Sequence, residues 1–368
     1  MTQIFGSPGK YIQGFGELHH IKKHVSWIGD SYLIIASKNR IKDFGEIIKE
    51  SFGEGYKIIF SEFRGESSRK EVKRLVDIAV AEECKGVVGL GGGKVIDTTK
   101  AVGGYLKIPT VIIPTIAASD AATSACACIY NEDGSLEEEI YFEKNPDIVL
   151  VDTEIIMNAP VRFLVAGMGD TLSTYIGARV CYKGYKDNDF GGKPTETSIT
   201  IAKLSYDLLM KHGVLAKLAC EQKVMTKDLN KIIEANILLS GLGFENNGGS
   251  SDHSFYYGFC DLTHRKEHMY HGEYVSVSTL CTLVLEGASK EELNEVFNFC
   301  ISVGLPVCLE DLKLGDMTEE EFKIVSKGVL RCKSTHNYPF EVTETDVIAA
   351  IKTVDVIGKM YKSGKCLI

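Results

Sequence analysis

The sequence predicts an α/β domain with a doubly wound, mainly parallel sheet over residues 1–160, followed by an all-α domain over 161–368, with the active site expected in the cleft between them. Three observations predict this. Short apolar runs alternate with amphipathic segments up to about residue 160, the pattern of parallel strands joined by crossover helices. After Ala159 long helical patterns dominate. At 368 residues the chain also exceeds what one hydrophobic core usually organises.

The elements follow in order. SYLIIAS (31–37) reads as a strand, and IKDFGEIIKESF as a helix after it. YKIIFSEF is a second strand. SSRKEVKRLVDIAVAEE places Val72, Leu75, Val76, Ile78 and Ala79 at helical spacing, with Ser67 or Ser68 as the N-cap. GVVGL, TTKAVGGYL and TVIIPT continue as strand, helix and strand. CIYNEDGSLEEEIYF reads as a hairpin turning at Glu132-Asp133-Gly134, and DIVLVDT as a further strand. Five helical patterns fill the second half: VRFLVAGMGDTLSTYIGARV, TSITIAKLSYDLLMKHG, NKIIEANILLSGLGF, EYVSVSTLCTLVLEG and KEELNEVFNFCISVG.

Composition narrows the function. A net charge of −9 argues against a broad nucleic-acid or anionic-membrane surface. No stretch approaches the roughly 20 apolar residues of a membrane span. The start, MTQIFGSPGKYIQG, lacks the pattern of a signal peptide. Eleven scattered cysteines without a Cys-x-x-Cys pair read as reduced thiols, so a cytoplasmic protein is expected.

Gly91-Gly92-Gly93 lies between a strand and a helix that carries Asp97 near its start. Bare backbone at a helix N-terminus accepts a phosphate well. Two common fingerprints fail here. GxGxxG started at Gly89 needs glycine where Lys94 stands, and a P-loop needs Ser or Thr where Val95 stands. The next strand ends in Pro114-Thr115 and runs into IAASDAATS, a second loop of small residues. A nucleotide lying across adjacent strand ends needs such a pair of loops. Asp120, within the second, is either a turn residue or a carboxylate facing substrate.

Four histidines fall in one window: His253, His264, His268 and His271. The last three have helical spacings that place them on one face. Asp170, in GMGD, is a carboxylate within an otherwise apolar helix. Spacing alone does not choose which histidines would join it on a metal.

Taken together, GGGKVIDTTKA, IPT-IAASDAATSA, DIVLVDTEIIMNAPVRFLVAGMGD, LLSGLGFE and HGEYV resemble the glycerol dehydrogenases of the iron/zinc-dependent alcohol dehydrogenase superfamily, with a dehydroquinate-synthase-like fold. SPGKYIQG and STHNYPFEVT belong to the same resemblance, which spans nearly the whole chain. It implies a metal held by Asp170, His253 and His271, with His264 and His268 outside the ligand set. Iron-dependent relatives carry a further histidine where Thr174 stands, which favours Zn2+ over Fe2+ or Mn2+. It also implies NAD, with Gly92, Gly93, Lys94 and Asp97 around the pyrophosphate and further contacts from Thr115, Ser124, Cys126 and Tyr130. Asp120 matches the residue that contacts the polyol. The reaction implied interconverts glycerol, or a related vicinal diol, with dihydroxyacetone or the hydroxyketone. A homo-oligomer built from dimers, such as an octamer, is implied as well.

Three departures stand out. Ser37, followed by Lys38, Asn39 and Arg40, replaces the aspartate that excludes a 2′-phosphate, so NADP is expected to be tolerated. Ala118 replaces a cofactor-holding serine, with Ser119 beside it. The segment 246–252 is more polar than in the family, and Tyr256 stands where a second histidine is common, which points towards a different or larger substrate. Two alternatives follow. A fold relative acting on a phosphorylated substrate, such as glycerol-1-phosphate dehydrogenase or a dehydroquinate-synthase-like cyclase, would use Arg162, Arg265 and Lys266. A non-enzymatic descendant would keep only the nucleotide- and metal-binding fold.

Overall fold

The structure is a computed structural model and describes residues 2–132, 134–265 and 269–367. The chain forms two compact units, one of Gly6–Pro160 with Lys223–Met225, the other of Met1–Phe5, Val161–Gln222 and Thr226–Ile368. Two exchanges distinguish these units from a single cut at residue 160. At the chain start, Gln3 bridges to Lys193 and donates to the Pro194 carbonyl (3.0 Å), while Asn188 donates to the Ile4 carbonyl (2.8 Å). In the other direction, the Lys223 ammonium donates to the carbonyls of Met157 (3.1 Å) and Ala159 (2.6 Å).

The first unit is built on β1 (Lys10–Gly14), β2 (Ser31–Ala36), β3 (Lys57–Glu62), β4 (Gly86–Gly91), β5 (Thr110–Pro114) and, after the hairpin β6 (Cys126–Tyr130) and β7 (Leu136–Tyr141), β8 (Ile148–Asp152). The six-stranded sheet runs β1-β8-β5-β4-β2-β3, and every neighbouring pair is parallel. β2, β4, β5 and β8 are buried at every position. That is why they read as continuous apolar runs rather than alternations. On β2, Tyr32 and Ile34 join a core with Leu18, Ile21, Phe52 and Leu150, while Leu33 and Ile35 face Val72, Leu75 and Val102. Helix Lys38–Phe52 thus covers one face, and helices Arg69–Ala81 and Gly93–Leu106 cover the other. Ser68 is the N-cap of helix Arg69–Ala81, its hydroxyl accepting from the Glu71 N–H at 3.3 Å.

β1, KYIQG, was not expected. It has no apolar run, and it pairs only with β8, at the sheet edge, so its place depends on a partner nearly 140 residues away.

The strand order reverses at β2: β3 lies on one side of it and β4 on the other. The carboxyl ends of β2 and β4 are therefore neighbours, with Ala36 opposite Leu90. In open α/β sheets this switch point is where ligands bind.

The second unit is helical. Its long helices are Val161–Gly184, Glu196–Glu221, His271–Glu286, Lys290–Val303, Glu319–Arg331 and Glu344–Lys362. Lys227–Glu234 and Ser240–Glu245 are joined by a π-helical turn, Ala235–Leu239, which presents the buried Asn236 to Thr171 (3.1 Å) and to the Leu164 carbonyl (3.0 Å). Among the described residues, no helix is long and apolar enough to cross a membrane.

Candidate active site

The glycine turn sits at the switch point. Gly92 is the N-cap of helix Gly93–Leu106 in an extended conformation, so the first amides of that helix point out beyond the end of β4. A Cβ built on Gly93 would meet only Ser119 Oγ, at 4.0 Å, which leaves the approach to the backbone open. Gly89 has a different task. Its missing side chain lets Thr99 of the same helix pack against β4.

The second small-residue loop is fastened beside the first. Thr115 donates its N–H to the Gly91 carbonyl (3.0 Å). Further along, Lys100 reaches out of helix Gly93–Leu106 and donates to the Ala121 carbonyl (2.8 Å), the Ser124 hydroxyl (3.3 Å) and the Cys126 carbonyl. Its ammonium also pairs with Asp97 at 3.2 Å. Burial pushes the Asp97 carboxyl above the usual carboxylate range, and Lys100 together with the Cys128 N–H works against that push. Lys100 is 4% exposed, and sequence reasoning missed it. The available signal was a lysine inside a helix otherwise buried from Val95 to Gly103.

The remaining expected cofactor residues are placed as follows. Ser37 is the N-cap of helix Lys38–Phe52 at the end of β2, its hydroxyl accepting from the Arg40 N–H at 3.4 Å. The Lys94 ammonium pairs with Glu66 (2.6 Å) and lies 5.8 Å from the Tyr130 ring centre, so a phosphate there would compete with Glu66. Ser124 is buried and Cys126 half-buried at the start of β6, with Tyr130 at its other end. Burial raises the Tyr130 hydroxyl far above its ordinary pKa, which keeps it neutral. Asp120 is half-buried, and its carbonyl receives the Thr123 N–H at 3.4 Å, as in a turn.

In the helical unit, Asp170, His253 and His271 converge. Asp170 lies mid-helix in Val161–Gly184, 1% exposed, and His253 and His271 come from the starts of two other helices, Ser251–Cys260 and His271–Glu286. Asp170 Oδ1 is 3.1 Å from His271 Nε2 and 3.6 Å from His253 Nε2, and one ligand atom from each residue fits within 4.8 Å of the others. Gly272 makes the approach feasible, because it seats the start of the His271 helix directly on the Ala166 carbonyl. Tyr256 sets its ring edge-on to His271, with centroids 4.4 Å apart at 85°.

The electrostatics ask for a cation. Burial works to raise the pKa of Asp170, yet His271 and His253 outweigh it and hold the carboxyl well below its usual range. Burial likewise disfavours a charged His253, but Asp170 and Asp252 raise its pKa well above normal. A buried carboxylate kept ionised beside two imidazole nitrogens suits a divalent ion. Three N/O donors match a catalytic site with open positions. Thr174, one turn beyond Asp170, bonds to the Ser240 hydroxyl at 2.7 Å and so points into the helix packing.

Several expectations about this region change. His264 and His271 do not share a helical face: helix Ser251–Cys260 ends before His264, and His271 begins the next helix. His264 instead pairs with Glu321 at 2.7 Å, while His268 and Lys266 lie outside the described residues. Arg265 is held by Glu321 and Asp316 (both 2.8 Å), and Arg162 by Glu273 at 2.6 and 2.9 Å, so neither offers an unpaired charge for a substrate phosphate. The polar segment 246–252 is turned inward. Asn246, Asn247, Ser250 and Ser251 are fully buried. Asn247 bonds to Ser198 (2.9 Å), and Ser251 to Thr282 (2.9 Å) and Tyr338 (2.6 Å). The polarity of Asn247 and Ser251 serves helix packing rather than a larger substrate.

The model of the family described as iron-containing alcohol dehydrogenase matches residues 8–153. The chain is 42% identical over 363 residues to a glycerol dehydrogenase of Citrobacter freundii, covering 98% of this chain and 99% of the relative. It is 37% identical over 367 residues to a glycolaldehyde reductase of Halobacterium salinarum, covering 98% and 100%. The crystal structure of glycerol dehydrogenase from Schizosaccharomyces pombe superposes with a TM-score of 0.94 at 32% identity, covering 98% of this chain and 93% of that one. Agreement along nearly the full length, in sequence and in fold, means that the chain belongs to the iron-containing alcohol dehydrogenase family, among the glycerol dehydrogenases.

Proposed function

We propose that the protein is a metal-dependent oxidoreductase that interconverts glycerol, or a closely related vicinal diol, with dihydroxyacetone or the corresponding hydroxyketone, using NAD and tolerating NADP. The observation that carries this reading is the convergence of Asp170, His253 and His271, three donors of catalytic-metal type brought together from three helices. Zn2+ is the ion proposed, because Thr174 offers no fourth nitrogen donor one turn after Asp170. When bound, such an ion supplies Lewis acidity that lowers the pKa of a diol hydroxyl.

The residues of the chain do the rest. Asp170, His253 and His271 would hold the ion through one ligand atom each. Glycerol and glycolaldehyde, the compounds in the relatives' names, both carry oxygen on adjacent carbons. Asp120 orients the polyol through its remaining hydroxyl. The helix start at Gly92 and Gly93, open at Gly93, would receive the dinucleotide pyrophosphate, Lys94 would exchange Glu66 for it, and Asp97, Thr115, Ser124, Cys126 and Tyr130 would line its path. The dinucleotide supplies the hydride acceptor, and the hydroxyl proton leaves to solvent. Ser37 leaves the ribose 2′ position without a repelling carboxylate. We further propose a homo-oligomer assembled from dimers and a reducing, cytoplasmic setting, in keeping with eleven free cysteines.

The test is an assay of purified, Zn2+-loaded protein for NADH and NADPH oxidation with dihydroxyacetone, beside an Asp170→Asn, His271→Ala double variant. Turnover with both cofactors, lost in the variant, is the expected result. No turnover despite bound zinc would overturn the substrate assignment, and strong preference for NADH alone would overturn the reading of Ser37.

A further inference from the structure

Asp252 stands directly before His253 and is 2% exposed. Its Oδ2 lies 2.7 Å from His253 Nδ1, and its Oδ1 accepts from both the backbone N–H and the hydroxyl of Ser250, each at 2.8 Å. The carboxylate is thus gripped on both oxygens within one turn at the entry to helix Ser251–Cys260. Across from it stands Gly177, seven residues along from Asp170 on the same helix and therefore on a similar face. A Cβ on Gly177 would come within 2.6 Å of Asp252 Oδ1, so the carboxylate fills space that any other residue would take. The neighbouring chain is held to the same helix, with Cys181 Sγ donating to the Gly249 carbonyl (2.8 Å) and Asn337 donating to that carbonyl as well (2.8 Å).

An ionised carboxylate only accepts hydrogen bonds. Nδ1 of His253 therefore carries a hydrogen, which leaves Nε2 as the nitrogen available to a metal ion. Nε2 is also the nitrogen turned towards Asp170 Oδ1, at 3.6 Å. We infer that Asp252 is a positioning residue of the metal site, which fixes His253 in the tautomer and ring orientation that ligate through Nε2. His271 is steadied differently, by its place at a helix start and by the Tyr256 ring edge. The two histidines thus have separate supports, one ionic and one aromatic, and only the ionic one sets a tautomer. A buried carboxylate behind a ligating imidazole also strengthens the nitrogen as a donor. The inference rests on the metal reading given above.

The experiment uses the full-length chain stripped of metal, titrated with Zn2+ against a chromophoric chelator, with thermal melts of each metal-free variant in parallel. Asp252→Ala is expected to raise the zinc dissociation constant about 10- to 100-fold. Asp252→Asn, whose amide oxygen still accepts from Nδ1, is expected to lose less. Gly177→Ala, whose Cβ would push the carboxylate off its partners, is expected to weaken zinc as well and to lower the melting temperature, because the site is buried and already filled. Should Asp252→Ala fail to fold, the other two variants decide. Folded variants that bind zinc as tightly as the unaltered protein would overturn the inference and leave the metal reading standing. An unaltered protein that binds no zinc would sink the metal reading, and the inference with it.

Discussion

The glycine turn and the Asp170–His253–His271 cluster solve the same problem, holding a charged group, by opposite means. The turn uses backbone. Its amides, its open flank at Gly93 and its neighbouring loop all come from residues 89–126, a continuous stretch arranged by two adjacent strands. The cluster uses side chains separated by up to about a hundred positions, and Asp170 meets the histidines only because three helices pack. A backbone site needs only the right local fold and tolerates change in surrounding side chains. A side-chain site has strict chemistry at three positions and depends on everything that aims them.

The sharpest way to break the comparison is Asp170→Asn. Removing the charge that faces both imidazoles is expected to abolish metal retention and to reduce kcat/KM by about a thousandfold, on the order of 4 kcal/mol of lost activation. Elemental analysis and steady-state kinetics check both, and a variant that keeps both would end the view of this cluster as the reactive centre. Lys100→Met probes the other region. It leaves the buried Asp97 without its cation and releases the loop at Ala121 and Ser124. A loss of about 3 kcal/mol in stability is expected, read as a lower denaturant midpoint, with zinc affinity unchanged.

Gly93→Val separates cradle from scaffold. The added side chain enters open space, so the melting temperature is expected to hold while KM for NADH rises on the order of tenfold, about 1.4 kcal/mol. A parallel loss of stability would mean that Gly93 serves packing, as Gly89 does. Ser37→Asp refines the cradle's selectivity. Aspartate caps a helix as well as serine, so folding is expected to be unaffected while the NADPH-to-NADH ratio of kcat/KM falls by roughly tenfold, about 1.4 kcal/mol.

The smallest effect contrasts the acids of the two units. Burial raises the Asp311 carboxyl, but the Lys362 ammonium, the Val307 N–H and the Cys308 thiol outweigh it, so its pKa in the folded state lies below normal. Such a group adds stability that is present above its unfolded pKa and is lost as pH falls through the folded one. Asp311→Asn should therefore lower the melting temperature at pH 7 and make less difference near pH 3. Asp97, whose pKa is raised, has the opposite sign: its contribution is present at low pH and lost as pH rises through the folded value.

Much of the first unit was legible because its signals are local. Continuous apolar runs bounded by turns gave β2, β4, β5 and β8, and Ser68 announced its helix. Short helices such as Ser251–Cys260 were missed because aromatic, serine and glycine residues mask the period.

The sequence by itself determined the alternation of strands and helices, the glycine turn at the end of β4, and the presence of an isolated acid inside an apolar helix, because each of these depends on neighbours a few residues apart. Only the tertiary structure decided the rest. It turned His264 away to Glu321, set His271 at a helix start beside Asp170, and drew the polarity of Asn247 and Ser251 into the helix packing. It also placed Asp252 behind His253, where Gly177 leaves room for it. The physical reason is range: hydrogen-bonding and rotamer preferences act within a turn or two, whereas the aim of a side chain across helices is set by packing that no local pattern encodes.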